Sequence, residues 1–240
     1  TARLDRAVRE ILATIGMADA PPFVVDLVTA AGGQVSGERL LFPEALLDAA
    51  LADLAGPVTL CGQAGADLVL ASPQSYTGTG GAAPQVLDLE SGHYRPSTTT
   101  DLAGAARLCD ALEHVQFFSR PLVAGDMPDA RRLDLATALV SLAGTAKHVM
   151  VSASAPAQVG EIAALCYALA GGEAAFRTRP FLSMNVNHAV PPLRFHEEAC
   201  EVLAACVRAG IPVHCNVFGQ LGASSPVTMA GSVAQTMAEA

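Results

Sequence analysis

The sequence contains no tryptophan, few other aromatic residues and few charged residues. Of its 240 residues, 5% are aromatic and 15% are charged, whereas 51% are hydrophobic. This composition excludes an intrinsically disordered chain and predicts a sizeable core built from Ala, Val and Leu. No apolar run reaches the length of a membrane-spanning helix, because Gly, Ser or a charged residue interrupts each run first.

Basic residues are also scarce. Lys and Arg together number 14, against 23 Asp and Glu, and the formal net charge is −9. Nucleic acids and anionic membrane surfaces both require a positively charged face. We therefore expect neither nucleic acid nor a membrane as a partner.

The six cysteines show neither a C-x-x-C motif nor a Cys/His pairing at zinc-binding spacing. No carboxylate/His cluster has ligand spacing either, so no metal site is predicted. Nothing indicates an oxidising compartment or a secretory signal, so we expect free, mostly buried thiols in a cytoplasmic protein. The absence of an initiator Met and an ending inside a helical pattern favour a piece of a longer protein.

The first 97 residues are predicted to form an N-terminal helical and β-hairpin region. Apolar residues at helical spacing, with Gly or Pro at the ends, predict helices over residues 4–15, 22–31 and 43–54. Short apolar runs predict strands over residues 58–60, 68–70 and 86–89. Between the last two strands, residues 76–81 read YTGTGG. A phosphate-binding loop is one interpretation, but the run matches no phosphate-binding fingerprint, so a plain connection is favoured.

Residues 98–240 alternate regularly between helical and strand patterns. The predicted helices cover residues 101–112, 129–142, 157–170, 194–209 and 226–240, and the predicted strands cover 115–118, 148–152, 181–186 and 213–217. Uniform alternation with apolar strands predicts an α/β fold with a parallel sheet covered by helices. The unit length matches a TIM-type (β/α)8 barrel, of which about the first four βα units are present. Because four units leave two bare sheet edges, we expect a homo-oligomer or a further part of the protein to complete the fold.

Residues 213–231, VHCNVFGQLGASSPVTMAG, form the stretch around which the chain is organised. A strand leads through Gly219 and Gly222 to a predicted helix start, with Ser225 as N-cap and Pro226 in the first turn. Such a loop is where α/β proteins bind ligands. Gly222, Ser224 and Ser225 are therefore predicted to face an anion or cofactor, although N-capping alone explains Ser225.

Other polar groups follow the predicted strands at their carboxyl ends, where a barrel keeps its chemistry. The candidate substrate-binding residues are Asn185, Asn187, His188, Arg194, Asn216, Phe218 and Gln220. Each has a structural alternative. The Asn185–His188 run can fasten the following loop, Asn216 and His214 can form satisfied interior hydrogen bonds, and Arg194 can simply face water.

A set of short motifs, in their order and spacing, carries a resemblance to a known family. They are Gly78, Gly80, Gly81 and Pro84; Val86-Leu87-Asp88-Leu89; Arg95-Pro96-Ser97; Thr99 and Asp101; Ala106-Arg107-Leu108; Asp110-Ala111-Leu112; Pro191-Pro192-Leu193-Arg194-Phe195; Ser225-Pro226-Val227-Thr228; and Ala230-Gly231. With these motifs the whole chain resembles the trimethylamine methyltransferase family, including members that lack pyrrolysine and demethylate glycine betaine.

The resemblance implies a corrinoid-dependent enzyme. Such an enzyme moves a methyl group from a small tertiary or quaternary methylamine, here expected to be betaine-like, to the cobalt of a corrinoid (cobalamin). The corrinoid is carried on a partner protein, and no cofactor is bound directly. Family members are longer, so the catalytic residues stay unknown and the 240 residues alone need not be active. The alternative is a non-catalytic half-barrel that binds a ligand or partner.

Overall fold

A computed structural model describes residues 2–54, 56–63, 65, 67–71 and 73–240. The chain forms two compact units. The first unit comprises Thr1–Gly56, Val186–Leu203 and Cys215–Ala240, and the second comprises Pro57–Asn185 and Ala204–His214. The division of domains at residue 97 stays a prediction.

Helices and strands occur throughout the chain and alternate only in parts of it. In chain order they are α1 (Ala2–Glu10, continued by a π-helical segment Ile11–Ile15), β1 (Met17–Ala18), α2 (Pro22–Ala30), β2 (Gln34–Ser36), β3 (Arg39–Leu41), α3 (Glu44–Asp53), β4 (Val58–Leu60), β5 (Leu68–Leu70), β6 (Gln85–Leu87), β7 (Tyr94–Pro96), α4 (Thr99–Ala111), β8 (Phe117–Ser119), α5 (Ala130–Gly144), β9 (His148–Val151), α6 (Pro156–Ala170), α7 (Glu173–Thr178), β10 (Leu182–Val186), β11 (Ala189–Val190), β12 (Arg194–Phe195), α8 (Glu197–Ala209), β13 (Val213–Cys215) and α9 (Met229–Glu239). The described residues contain no helix that is both long and apolar enough to cross a membrane.

The first unit contains a five-stranded sheet that the sequence did not predict. Its strand order is β11-β12-β1-β3-β2, and within it β1 pairs parallel with β12 and antiparallel with β3. Strands of two or three residues are too short to show the alternation by which strands are recognised. Met17, Ala189, Leu193 and Ala238 form one buried hydrophobic cluster of this unit.

Two predicted helix starts are wrong. Arg194 lies in β12 rather than at a helix start, and α8 begins at Glu197. Helix α9 begins at Met229, because Thr228 is its N-cap and accepts a hydrogen bond from the Gly231 amide. Ser225 is therefore not an N-cap, and Pro226 precedes the helix.

The second unit contains a four-stranded sheet of order β13-β10-β9-β8, in which β8, β9 and β10 are parallel. One side packs on helices: Phe118 of β8 is fully buried against Leu102, Ala106 and Cys109 of α4. The predicted α/β class with a parallel sheet and covering helices is confirmed. The structure is compatible with a partial barrel.

Several motif residues of the β6–β7 hairpin and of helix α4 form one ion-pair network. Arg95 donates two hydrogen bonds to Asp101, at 2.7 and 2.8 Å, and one to Asp88 at 3.2 Å. Asp101 also completes the capping box of α4 with Thr98. The Arg95 guanidinium lowers the pKa of Asp101 well below its usual range. These residues have a structural role, because they fix the start of α4 against the β6–β7 hairpin.

The glycine-rich run at residues 76–81 covers an edge of the sheet. Gly78 forms a parallel bridge with Phe117 of β8, and Ala83 forms another with Leu122. The Gln116 amide donates to the Thr77 carbonyl at 2.7 Å, and the Ala83 amide donates to the Pro121 carbonyl at 2.9 Å. Gly78 therefore pairs with β8 itself, and the run is more than the plain connection that was favoured. The edge of the sheet at β8 is partly covered, contrary to the expectation of two bare edges.

Gly78→Ala is expected to destabilise the protein by roughly 1–3 kcal/mol, the usual cost of overpacking. A Cβ at Gly78 would lie 2.2 Å from the Phe117 ring, whereas a Cβ at Gly80 would meet nothing within 4 Å. The measurement is the free energy of unfolding in urea, with Gly80→Ala as the matched control. Equal stability of the two variants would contradict the close packing of Gly78 on Phe117.

Candidate functional site

The side of the four-stranded sheet opposite the helices is polar. The register pairs Phe117 with His148, and Ser119 with Met150, which also pairs with Ser183. Since side chains alternate along a strand, residues in these register positions share one face. Side-chain hydrogen bonds to Ser119 and Ser183 add Asn185 and His214 to this face. The polar face is therefore made of Phe117, Ser119, His148, Met150, Ser183, Asn185 and His214. The opposite face carries the fully buried Phe118, Val149, Val151, Leu182 and Met184.

A chain of hydrogen bonds runs across the polar face. Nδ1 of His148 lies 2.9 Å from the carbonyl oxygen of Cys61, and its Nε2 lies 2.7 Å from Oγ of Ser183. The same Oγ lies 3.0 Å from Nε2 of His214. Three strands, β9, β10 and β13, are therefore linked through side chains as well as through backbone pairing.

The chemistry of these groups fixes the direction of the chain. Burial lowers the pKa of His148 to about 4, and burial also lowers the pKa of His214, so both imidazoles are neutral near pH 7. A carbonyl only accepts, so His148 carries its proton on Nδ1 and accepts from the Ser183 hydroxyl at Nε2. Ser183 then accepts from Nε2–H of His214. Nδ1 of His214 is left with a free lone pair and has no hydrogen-bond partner among the described residues.

Asn185 is the sequence-predicted site residue that lies on the polar face. Its side-chain amide donates to Oγ of Ser119 at 3.3 Å, and it is half-buried. This bond uses one of its two N–H donors, so one donor and the amide oxygen are free for a ligand. Asn185 and His214 therefore present both donor and acceptor groups.

The other predicted substrate-binding residues lie in the first unit. Asn187, Phe218 and Gln220 are exposed, and Asn216 is half-buried with its backbone amide bonded to the Val186 carbonyl. Arg194 is exposed, with Nη1 3.8 Å from a carboxylate oxygen of Asp19. His188 is half-buried beside Phe195, with ring centroids 6.5 Å apart.

The predicted anion-facing loop uses much of its backbone internally. The amides of Ser224 and Ser225 both donate to the Gln220 carbonyl at 3.0 Å, and the Gly222 amide donates to the Ser225 carbonyl at 2.9 Å. The Ser225 hydroxyl is buried 2.6 Å from that of Ser232. These bonds shape the turn before α9, and the anion site stays a prediction.

Sequence reasoning named none of Ser119, His148 and Ser183 as a candidate site residue. A signal was present: His148, Ser183 and His214 interrupt otherwise apolar strands at positions that a common register brings together. Arg120, which directly follows Ser119, was also missed. Burial lowers the pKa of its guanidinium, opposed by the charge of Asp134. The described residues contain no group of three or more His, Cys, Asp or Glu side chains that could hold a metal ion.

Comparison with known proteins decides the family. The sequence profile "Trimethylamine methyltransferase (MTTB)" matches residues 1–240. The chain belongs to the trimethylamine methyltransferase family. Among this family's curated members, the chain is similar to trimethylamine methyltransferase MttB of Desulfitobacterium hafniense, with 31% identity over 153 residues. It is also similar to MttB of Methanosarcina barkeri, with 34% identity over 144 residues.

The two alignments cover most of this chain but less than a third of either relative. They include 64% of the chain and 30% of the Desulfitobacterium protein, and 60% of the chain and 29% of the Methanosarcina protein. Membership of the methyltransferase family is thereby shown. The activity, substrate and partners of a whole protein go beyond this match.

Because of His148, the free energy of unfolding should decrease as the pH is lowered from about 6.5 to about 4. Its folded-state pKa lies below the ordinary value of 6.5, so the unfolded chain takes up a proton in this range and the folded chain does not. The stabilisation is complete above pH 6.5 and is lost as the pH falls, by on the order of 3 kcal/mol in total. Urea unfolding at several pH values measures it.

His148→Gln removes this titration and serves as the comparison. The variant should be less stable at pH 7 but should lose less stability than the wild type on acidification to pH 4. An identical pH dependence in both proteins would show that His148 is not held neutral by burial.

Proposed function

We propose that the chain is part of a corrinoid-dependent methyltransferase acting on a small tertiary or quaternary methylamine, with betaine-like substrates preferred. Family membership supports the methyl-transfer class, and the relatives named above are called trimethylamine methyltransferases. The preference for betaine-like substrates and the corrinoid partner come from the family resemblance. The acidic net charge of −9 suits a cationic substrate in a general way.

The reaction requires little covalent chemistry from the protein itself. The methyl group leaves the amine nitrogen, which keeps the bonding electron pair, and becomes bonded to the reduced cobalt of a corrinoid on a separate protein. The transferase has to bind the amine, exclude water and direct one methyl group toward that partner. Neutral hydrogen-bonding groups in a partly buried setting are suited to this positioning role.

The polar face of the second unit is the proposed position of the amine, and the oriented chain His148–Ser183–His214 is the observation that carries it. The free lone pair on Nδ1 of His214 can accept an N–H from a protonated tertiary amine. The unused amide hydrogen of Asn185 can donate to the carboxylate of a betaine. His148 and Ser183 are positioning residues, because they act by holding the His214 ring in one orientation.

The architecture proposed for the whole protein is a TIM-type barrel whose first four βα units are found here, preceded by the helical and hairpin region of residues 1–97. In such a barrel the polar face would be the interior. We further propose a cytoplasmic homo-oligomer. Asn187, His188, Arg194, Asn216, Phe218, Gln220 and the loop residues Gly222, Ser224 and Ser225 remain candidates for contacts with the substrate or the partner protein.

The experiment mixes a protein containing this chain with reduced corrinoid protein and a panel of trimethylamine, glycine betaine, proline betaine and carnitine. Methylation of cobalt is followed by its absorption spectrum. Asn185→Ala and His214→Phe should each lower the rate by roughly 10- to 1000-fold, the range expected when one positioning or hydrogen-bonding group is lost. If the amide of Asn185 binds a carboxylate, its loss should affect betaines more than trimethylamine.

His93→Gln is the matched control, since His93 is exposed and lies away from the sheet face. It should methylate cobalt at the wild-type rate. Normal rates in folded Asn185→Ala and His214→Phe variants would move the substrate site away from the polar face. No cobalt methylation with any amine, from folded wild-type protein, would exclude this reaction for the panel.

A further inference from the structure

The first unit contains a cavity to which the polar face of the second unit contributes no residue. Its volume is about 350 Å³, and its lining is largely apolar. Aromatic side chains from two elements contribute to it: Phe42, which follows β3, and Phe195 of β12. A cavity of this size is within the range that binds small molecules.

Glu239 of α9 lines this cavity and is 2% exposed. Its Oε1 accepts two hydrogen bonds, from the Leu193 amide at 2.7 Å and from the Gln235 side chain at 2.9 Å. Its Oε2 is buried and has no hydrogen-bond partner among the described residues. A buried carboxyl oxygen without a partner costs free energy, so a donor at this position would be stabilising.

A second unpartnered polar atom lies in the same cavity. Nδ1 of His188 is buried without a partner in the described part of the chain. Burial lowers the pKa of His188 below its ordinary value, so the ring is neutral near pH 7. The cavity therefore contains no positive charge from His188.

Beside the cavity, three carboxylates surround one guanidinium group. Arg9 lines the cavity, but its guanidinium hydrogen-bonds to Asp48 at 2.7 Å and to Asp5 at 3.2 Å, and lies 3.8 Å from Glu44. This grouping leaves an excess of negative charge. Together with aromatic faces and an unpartnered carboxyl oxygen, this combination is suited to an organic cation.

We propose that this cavity is a binding site for a small alkylammonium ion, whose N–H donates to Oε2 of Glu239 while its carbon atoms contact Phe42 and Phe195. The need for a hydrogen-bond donor distinguishes protonated amines from quaternary ones. The site does not depend on methyl transfer. Its ligand needs no N-methyl group.

Two methionines make the cavity directly observable. Met17 and Met237 line it, whereas Met127, Met150, Met184 and Met229 do not. The experiment labels the Met methyl groups with ¹³C and titrates the protein at pH 7 with pyrrolidinium chloride. The Met17 and Met237 resonances should shift and saturate, and the other four should stay in place as internal references.

Two further ligands with the same ring size separate the contribution of the N–H donor from those of the charge and the apolar ring. N,N-dimethylpyrrolidinium keeps the charge but lacks an N–H, and it should bind at least tenfold more weakly. Tetrahydrofuran is neutral and has no donor, and it should cause no saturable shift. Equal binding of tetrahydrofuran and pyrrolidinium would reduce the site to an apolar cavity and overturn the proposal.

Substitutions complete the test. Glu239→Gln keeps an oxygen for the Leu193 and Gln235 donors but replaces Oε2 with an NH2 group that cannot accept the ligand's N–H, and it should weaken pyrrolidinium binding at least tenfold. Phe195→Leu removes an aromatic face and should weaken it severalfold, which keeps the test valid if Glu239→Gln fails to fold. Glu198→Gln, at an exposed position of α8, is the control and should bind normally.

Absence of any Met17 or Met237 shift in the folded wild type, or undiminished binding by Glu239→Gln, would overturn the proposal. Neither outcome bears on methylation of cobalt, which is followed by a different assay and is proposed for the polar face of the second unit. Conversely, failure of the cobalt assay would leave a saturable pyrrolidinium site intact.

Discussion

The second unit depends on a buried imidazole that carries no charge. His148 is 2% exposed and is bonded on both sides, to the Cys61 carbonyl and to the Ser183 hydroxyl. A charged ring here would have to be desolvated and could not accept from Ser183. Neutrality therefore fixes the tautomer of His148, the direction of the Ser183 hydroxyl and the orientation of His214.

This constraint explains why the two faces of one sheet differ so much. The face toward the helices is sealed by apolar side chains such as Phe118, which need only shape to pack. The polar face holds groups that would be costly without partners, and most of them have partners within the same face. Among the described residues, the exceptions are the free lone pair of His214 and the unused amide groups of Asn185, and they make this face the candidate site.

The first unit relies on a different buried group. Oε1 of Glu239 holds the backbone amide of Leu193, which is a non-glycine residue at a φ of 51°. The Leu193 carbonyl in turn accepts from the Ala18 amide at 2.9 Å and from Arg39 at 3.2 Å. A left-handed leucine is unfavourable by itself, so these bonds are what keep it in place. The same carboxyl group supplies the unpartnered oxygen of the cavity.

Strand position in the sequence was enough to name one candidate residue that lies on the polar face. Asn185 was identified because it lies near the carboxyl end of an apolar run, and it is found on the polar face. Asn187 and His188, only two and three residues farther along, lie in the other unit. Proximity in sequence was no guide there, because the chain leaves the four-stranded sheet after Val186 and enters the five-stranded sheet at Ala189.

The sequence by itself determined the alternation of helices and apolar strands, most of their positions and the α/β class, since these follow from local periodicity and capping. The resemblance in its motifs also led to the family. Tertiary structure decided which polar residues meet: Cys61, His148, Ser183 and His214 are far apart in the chain and become partners only through strand register. It also decided that the glycine-rich run pairs with β8, that Arg194 lies in a strand, and that Glu239 reaches Leu193. Each of these depends on contacts between distant segments, which periodicity within one segment does not specify.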